Sequence, residues 1–172
     1  MNAGAASTTK YLSLALMASL FCLIGCESPA PAVITRLNDS AVLSGNLPAN
    51  PLHWQVITSA IDHRNATMYT VFGNDQAVTY ARSHLDQNYP AGSMLSLVTW
   101  SQTGDPRWFG GMTPDKTRSV EFVEIKANPN HGLLYSYERY TGSPLAKVAS
   151  EATSEPNERA AYLLSQRAAV MP

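Results

Sequence analysis

The chain has 172 residues, with 12 Lys and Arg against 13 Asp and Glu and a formal charge of −1. A balance this close to neutral, with no basic cluster, excludes binding to nucleic acid or anionic lipid through charge alone. The two cysteines, Cys22 and Cys26, both lie near the N-terminus. From Glu27 onward no thiol is left for a disulfide, a cysteine zinc site or a cysteine nucleophile.

Lys10 precedes an uncharged, largely apolar run from Tyr11 to Gly25. At about 15 residues it has the length of a signal peptide and falls short of the ~20 that an ordinary spanning helix needs. It closes on Leu23-Ile24-Gly25-Cys26 and turns polar at Glu27-Ser28, a pattern that resembles a bacterial lipobox. The expectation is a lipoprotein signal over residues 1–25, acylation of Cys26, and a mature chain from Cys26 to Pro172. Two or three acyl chains at ~0.8 kcal/mol per buried CH₂ would hold a soluble domain firmly on a membrane. Ordinary secretion with Cys26 as a free thiol is the plainer alternative, and in either case Cys22 leaves with the signal. Export by this route in a double-membrane bacterium leaves the domain facing the periplasm.

Residues 26–50 carry Pro29, Pro31 and Pro48 among Ala, Ser and Asn and read as a tether, with a short structured piece at Ala41-Val42-Leu43. The folded domain is expected over 51–172. Trp54–Ser59 and Thr67–Phe72 are rich in β-branched and aromatic residues and flank the turn-type cluster Asp62-His63-Arg64-Asn65, which predicts a hairpin. Asn74 or Asp75 then caps a helix with Ala77, Ala81 and Leu85 on one stripe and Val78 and Tyr80 at its edges, stopped by Asn88–Gly92. Ser93–Gln102 is dense enough in apolar residues for a central strand. Ser119–Ile125 alternates with period 2, placing Val120 and Phe122, with Glu124, opposite Glu121, Val123 and Ile125. A turn at Asn128–Gly132 leads to a last strand, Leu133–Tyr140. Ser154 and Pro156 start a helix to about Ala169 whose stripe is Ala160, Ala161, Leu164 and Ala168. The fold class is therefore α+β, an antiparallel β-sheet of about five strands with one inserted helix and one C-terminal helix.

Several blocks, in order and spacing, are similar to the cytochrome P-460 domain family from about residue 45 to the end. They are Leu52–Ser59, Phe72–Asp75, Tyr89–Ser93 with Leu97–Trp100, Asp105–Gly110, Ser119–Val123 and Gln166–Ala169. The resemblance implies a small antiparallel β domain with helices. Its best-known members are periplasmic c-type cytochromes that oxidise hydroxylamine or bind nitric oxide, with haem held through a C-terminal Cys-x-x-Cys-His motif and, in some, a lysine crosslink. Here Arg159–Pro172 contains no cysteine and no histidine, and none of Lys116, Lys126 and Lys147 aligns to the crosslinking position. No cofactor is expected on that ground; non-covalent haem on His53, or on a Met such as Met112, is the alternative. His63 and His131 read as turn residues and His84 as a helix-end residue.

Trp100, Trp108, Phe109, Phe122, Tyr135 and Tyr137 come from three neighbouring segments, either lining one pocket or forming the core. The Asp105–Met112 loop joins Arg107 to two large aromatics and flexible glycines, which suits a ligand contact or a lid with Trp108 packed inward and Arg107 bonded to Asp105. Glu124, if inward, would be a proton acceptor beside a bound ligand. No nucleophile elbow, phosphate loop or zinc motif is present, and no reaction is disclosed. Two functions follow: a membrane-tethered domain binding a small apolar ligand or a periplasmic protein, or a redox protein handling hydroxylamine or nitric oxide with non-covalent haem.

Overall fold

Alternation of apolar residues along the strands puts two separate sets of side chains on the two faces of one sheet. The computed structural model describes residues 38–128, 132–149 and 155–169. The signal segment, Cys22, Cys26, the turn residues around Asn130-His131 and the helix-start residue Ser154 lie outside the described residues.

Strands β1 (Gln55–Asp62), β2 (Thr67–Gly73), β3 (Met94–Gly104), β4 (Met112–Asn128), β5 (Gly132–Thr141) and β6 (Ala146–Lys147) form one antiparallel sheet in chain order. Helix α1 (Asp75–Ser83) lies between β2 and β3, and α2 (Glu155–Leu164) follows β6. The sheet thus has six strands where five were expected. The sixth is two residues long, pairing Tyr140 with Lys147 and Thr141 with Ala146, too short to carry a period. None of the helices among the described residues is long and apolar enough to cross a membrane.

Leu95 and Leu97 of β3 and Val123 and Ile125 of β4 share a buried cluster with Ala77, Val78 and Leu163 of the helices. Leu163 is fully buried, and burial of a side chain of that size contributes about 1.5–3 kcal/mol. The opposite parity, Val98, Trp100, Val120, Phe122 and Tyr140, forms the second cluster. Phe122 meets Trp54 edge-on at 6.1 Å and Tyr140 at 5.8 Å, the edge-to-face arrangement that aromatic quadrupoles favour.

Among the described residues no α-helix covers that second face. Ala41, Leu43, Leu47 and Trp54 pack there instead, and the Trp100 indole Nε1 donates to the Ala41 carbonyl at 3.0 Å. Gly45 forms a parallel bridge with Leu145, whose N–H donates to the Ser44 carbonyl at 2.7 Å. A Cβ on Gly45 would lie 2.2 Å from the Leu145 carbonyl oxygen, and its φ of +135° is glycine territory. The packed unit therefore reaches back to Asn38, through most of the segment whose proline-rich composition reads as tether. Its apolar residues follow neither the helical nor the strand period, so only the finished sheet gives them a site.

Asn74 caps α1: its Oδ1 accepts from the Ala77 N–H at 3.0 Å and the Met94 N–H at 3.2 Å, while Nδ2 donates to the Gly92 carbonyl at 2.8 Å. Ala77, Val78 and Ala81 are buried as expected, but α1 stops at Ser83 with His84 as its C-cap, so Leu85 is exposed rather than on the stripe. In α2 the buried stripe is Ala160 and Leu163, with Leu164 half-buried, whereas Ala161 is exposed. That helix ends at Leu164 and not near Ala169. Beyond it the Ala169 N–H donates at 2.8 Å to the Ile57 carbonyl, at the bulge that takes Ile57 out of register with β2.

Candidate functional site

The loop between β3 and β4 is closed at its base by its own backbone. Asp105 N–H donates to the Gly111 carbonyl and Gly111 N–H to the Trp108 carbonyl, both at 2.9 Å. Asp105 Oδ1 accepts from the Arg107 N–H at 2.9 Å and from Arg107 Nε at 3.2 Å. The backbone bond first, and the guanidinium bond after it, hold the Asp105 carboxyl below its ordinary range. Arg107 is thus bonded to Asp105, but Trp108 is not packed into the core: it is 76% exposed, and Phe109 is fully exposed.

The other aromatics divide by strand parity. Trp100 and Phe122 are buried on the face covered by residues 41–54. Tyr137, opposite Val123 in the β4–β5 ladder, packs on the helix-covered face, and Tyr135 is exposed. The structure therefore does not bring Trp100, Trp108, Phe109, Phe122, Tyr135 and Tyr137 to one pocket.

Glu124 stands opposite Met94 and Ser136 and is only half-buried. Its Oε2 lies 2.9 Å from Lys126 Nζ and its side chain is 39% exposed, so it is no buried proton acceptor. The buried carboxylate is Glu121, with 3% of its side chain exposed. Arg159 donates to it twice, Nε to Oε2 at 2.9 Å and Nη2 to Oε1 at 2.7 Å, and the Tyr137 hydroxyl donates to Oε2 at 2.7 Å. Burial first, and the carboxylate beside it second, push the Tyr137 phenol well up from its ordinary value. Arg159 also lies over the Tyr162 ring at 5.0 Å, and the Tyr162 hydroxyl donates to that of Tyr69 at 3.1 Å. Sequence reasoning passed over this cluster although the period-2 pattern already set Glu121 beside Val123 and Ile125. Its chemistry is that of a fastening: three donors from two elements converge on one buried carboxylate.

A shallow cleft opens beside the Trp100 edge. The register sets Ile61 opposite Met68 and Met68 opposite Trp100, so three large side chains stand in a row on one face. Pro114 closes one side, and the hydroxyl pair Ser59–Thr70, 2.9 Å apart, closes another. The cleft has a volume of about 360 Å³, and Ile61 on its rim is 45% exposed.

No family model matches the chain, and no curated protein matches it. His53, the histidine named for a non-covalent haem, lies exposed in a 3-10 turn, Pro51–His53. His63 is exposed in the β1–β2 turn, and His84 stacks on Tyr80 at 4.1 Å with its Nδ1 2.8 Å from Ser83 Oγ. His131 lies outside the described residues. Among the described residues no three His, Cys, Asp or Glu side chains converge to hold a metal ion.

Proposed function

We propose that the chain is a lipid-anchored, periplasm-facing domain of cytochrome P-460 type, without covalent haem, that takes a small apolar ligand in the cleft beside Trp100. The row Ile61–Met68–Trp100 carries this reading: three large apolar side chains meet at a concavity where the covering segment leaves the sheet open. A volume of about 360 Å³ sits at the small end of ligand sites, which run from ~300 to 1,000 Å³. The ligand lays an apolar body on Trp100 and Met68 and turns one hydrogen-bonding group toward Ser59 and Thr70. The anchor rests on the Leu23–Cys26 pattern and the family likeness on the order of the motifs. The haem-free form is supported by the lack of cysteine and histidine in Arg159–Pro172 and by the exposed placement of His53, His63 and His84.

The probe is 1-naphthol, titrated by calorimetry into the full chain in non-ionic detergent and into Ile61→Lys and Met68→Lys variants checked for folding by circular dichroism. Saturable binding that weakens about tenfold or more in both variants is expected. Identical partition heats in all three proteins would remove the cleft as a site. A Soret band retained through gel filtration of protein from haem-replete cells would favour the haem-binding alternative. Incorporation of a palmitate analogue that survives Cys26→Ser would overturn the anchor.

A further inference from the structure

The base of the Trp108–Phe109 tip is bonded through Asp105 and the backbone and not through its aromatic rings. The Asp105–Arg107 and Asp105–Gly111 bonds fix the base, and Gly110 takes a φ of +76° to turn the chain. Yet Trp108 and Phe109 are among the most exposed large apolar side chains of the described residues. A Cβ built on Gly104 or Gly110 meets nothing within 4 Å, and the three atoms nearest to one on Gly111 belong to Trp108 and Asp105 of the same loop, so at these positions the loop meets itself or open space. Its charge is already neutralised, since Arg107 and Asp105 are paired to each other. An exposed, neutral tip with one indole and one phenyl suits a soft apolar boundary with polar groups above it. Trp and Phe rings partition there with the indole N–H left in the wet layer.

We propose that this tip is a second membrane contact, entering the boundary between headgroups and acyl chains of a lipid bilayer. It rests on the proposed anchor at Cys26 only for proximity, because an anchored domain meets its own bilayer at high effective concentration. Because the tip carries no net charge, the contact is apolar: raising the salt or adding anionic lipid leaves it nearly unchanged, unlike a polybasic attachment.

The test uses the full chain reconstituted in phosphatidylcholine vesicles, with and without bromine on the acyl chains. Trp54 and Trp100 pack within the domain, so the tip is read through Trp108. The expected result is blue-shifted tryptophan emission that brominated lipid quenches, with quenching lost in Trp108→Phe, reduced severalfold in Phe109→Ser, and unchanged by added salt or phosphatidylglycerol. Equal quenching in the native chain and Trp108→Phe would overturn the proposal. So would a photo-crosslinker at position 109 that captures protein and no lipid in native membranes. Mass spectrometry of the same sample separates the two readings: a chain without acyl groups whose Trp108 is still quenched defeats the anchor alone, and an acylated chain whose Trp108 is not quenched defeats the tip alone.

Discussion

Glu121 and Arg159 are 38 residues apart in sequence and form the most buried ion pair among the described residues. Arg159→Met keeps the aliphatic stem and removes both guanidinium bonds, leaving a buried carboxylate with Tyr137 as its remaining donor in this cluster. The expected loss is about 3 kcal/mol, the lower end for breaking a buried pair, because the Arg159 side chain is still 39% exposed. Urea denaturation measures it, and Glu121→Leu with Arg159→Met should recover most of the loss. A single variant as stable as the native chain would show that the pair holds nothing. Strand parity made half of this legible, since Glu121 falls with Val123 and Ile125. The other half depends on which face α2 covers, and no local pattern encodes that. Glu124 illustrates the same gap: its parity puts it with Val120 and Phe122, but it stands near the end of β4, where Lys126 can reach it.

At the scale of elements, Asn74 joins three segments through one side chain, serving the first turn of α1, the start of β3 and the Gly92 carbonyl between them. Asn74→Ala should cost about 1–2 kcal/mol, at or above the usual price of a lost N-cap, because the Met94 and Gly92 partners are lost with it. Hydrogen exchange at Ala77 and Met94 should rise together; faster exchange at Ala77 alone would mean that capping is its whole role. Five of the six strands and this cap could be read from the sequence because period 2 and capping chemistry are local, although β4 begins at Met112 and not at Ser119. Of the layer formed by residues 38–50, only a short structured piece at Ala41-Val42-Leu43 was expected, and Ala41 and Leu43 do pack; where they pack could not be read, since Leu43 and Leu47 depend on an aromatic face assembled from four distant strands. The cleft escaped for a related reason: its residues come from β1, β2, β3 and β4, and only the register sets Ile61, Met68 and Trp100 in a row.

For the molecule as a whole, tyrosines set the response to alkali. Tyr162 is pushed up to about 12 by burial and then by its bond to Tyr69. Tyr140 reaches about 12 through burial and then Glu138, and Tyr80 about 12 chiefly through its bond to Asp86. Tyr137 is raised as well, by burial and then Glu121. Each fold-raised phenol favours the neutral form, so its contribution is complete below the ordinary value of 10.0 and is lost as pH rises through the folded value. The melting temperature should therefore hold up to about pH 10 and decline between about 10 and 12. A decline that begins near neutrality would assign alkaline sensitivity to other groups.

The bond from Ala169 to Ile57 also bears on how the protein behaves when concentrated. Strand β1 is an outer strand of the sheet, and its sequence, Gln-Val-Ile-Thr-Ser-Ala-Ile-Asp, contains neither the lysine nor the proline by which exposed edges commonly discourage a neighbouring chain. The segment after α2 takes that part instead, occupying a carbonyl that another molecule's strand would otherwise seek, as Ser44 and Gly45 do beside Leu145 at the opposite margin. The residues after α2 lie apart from both the cleft and the aromatic tip, so removing them should leave those surfaces in place and expose the β1 edge to a second chain; light scattering at high concentration should then show faster aggregation, and an unchanged rate would show that the edge is guarded otherwise.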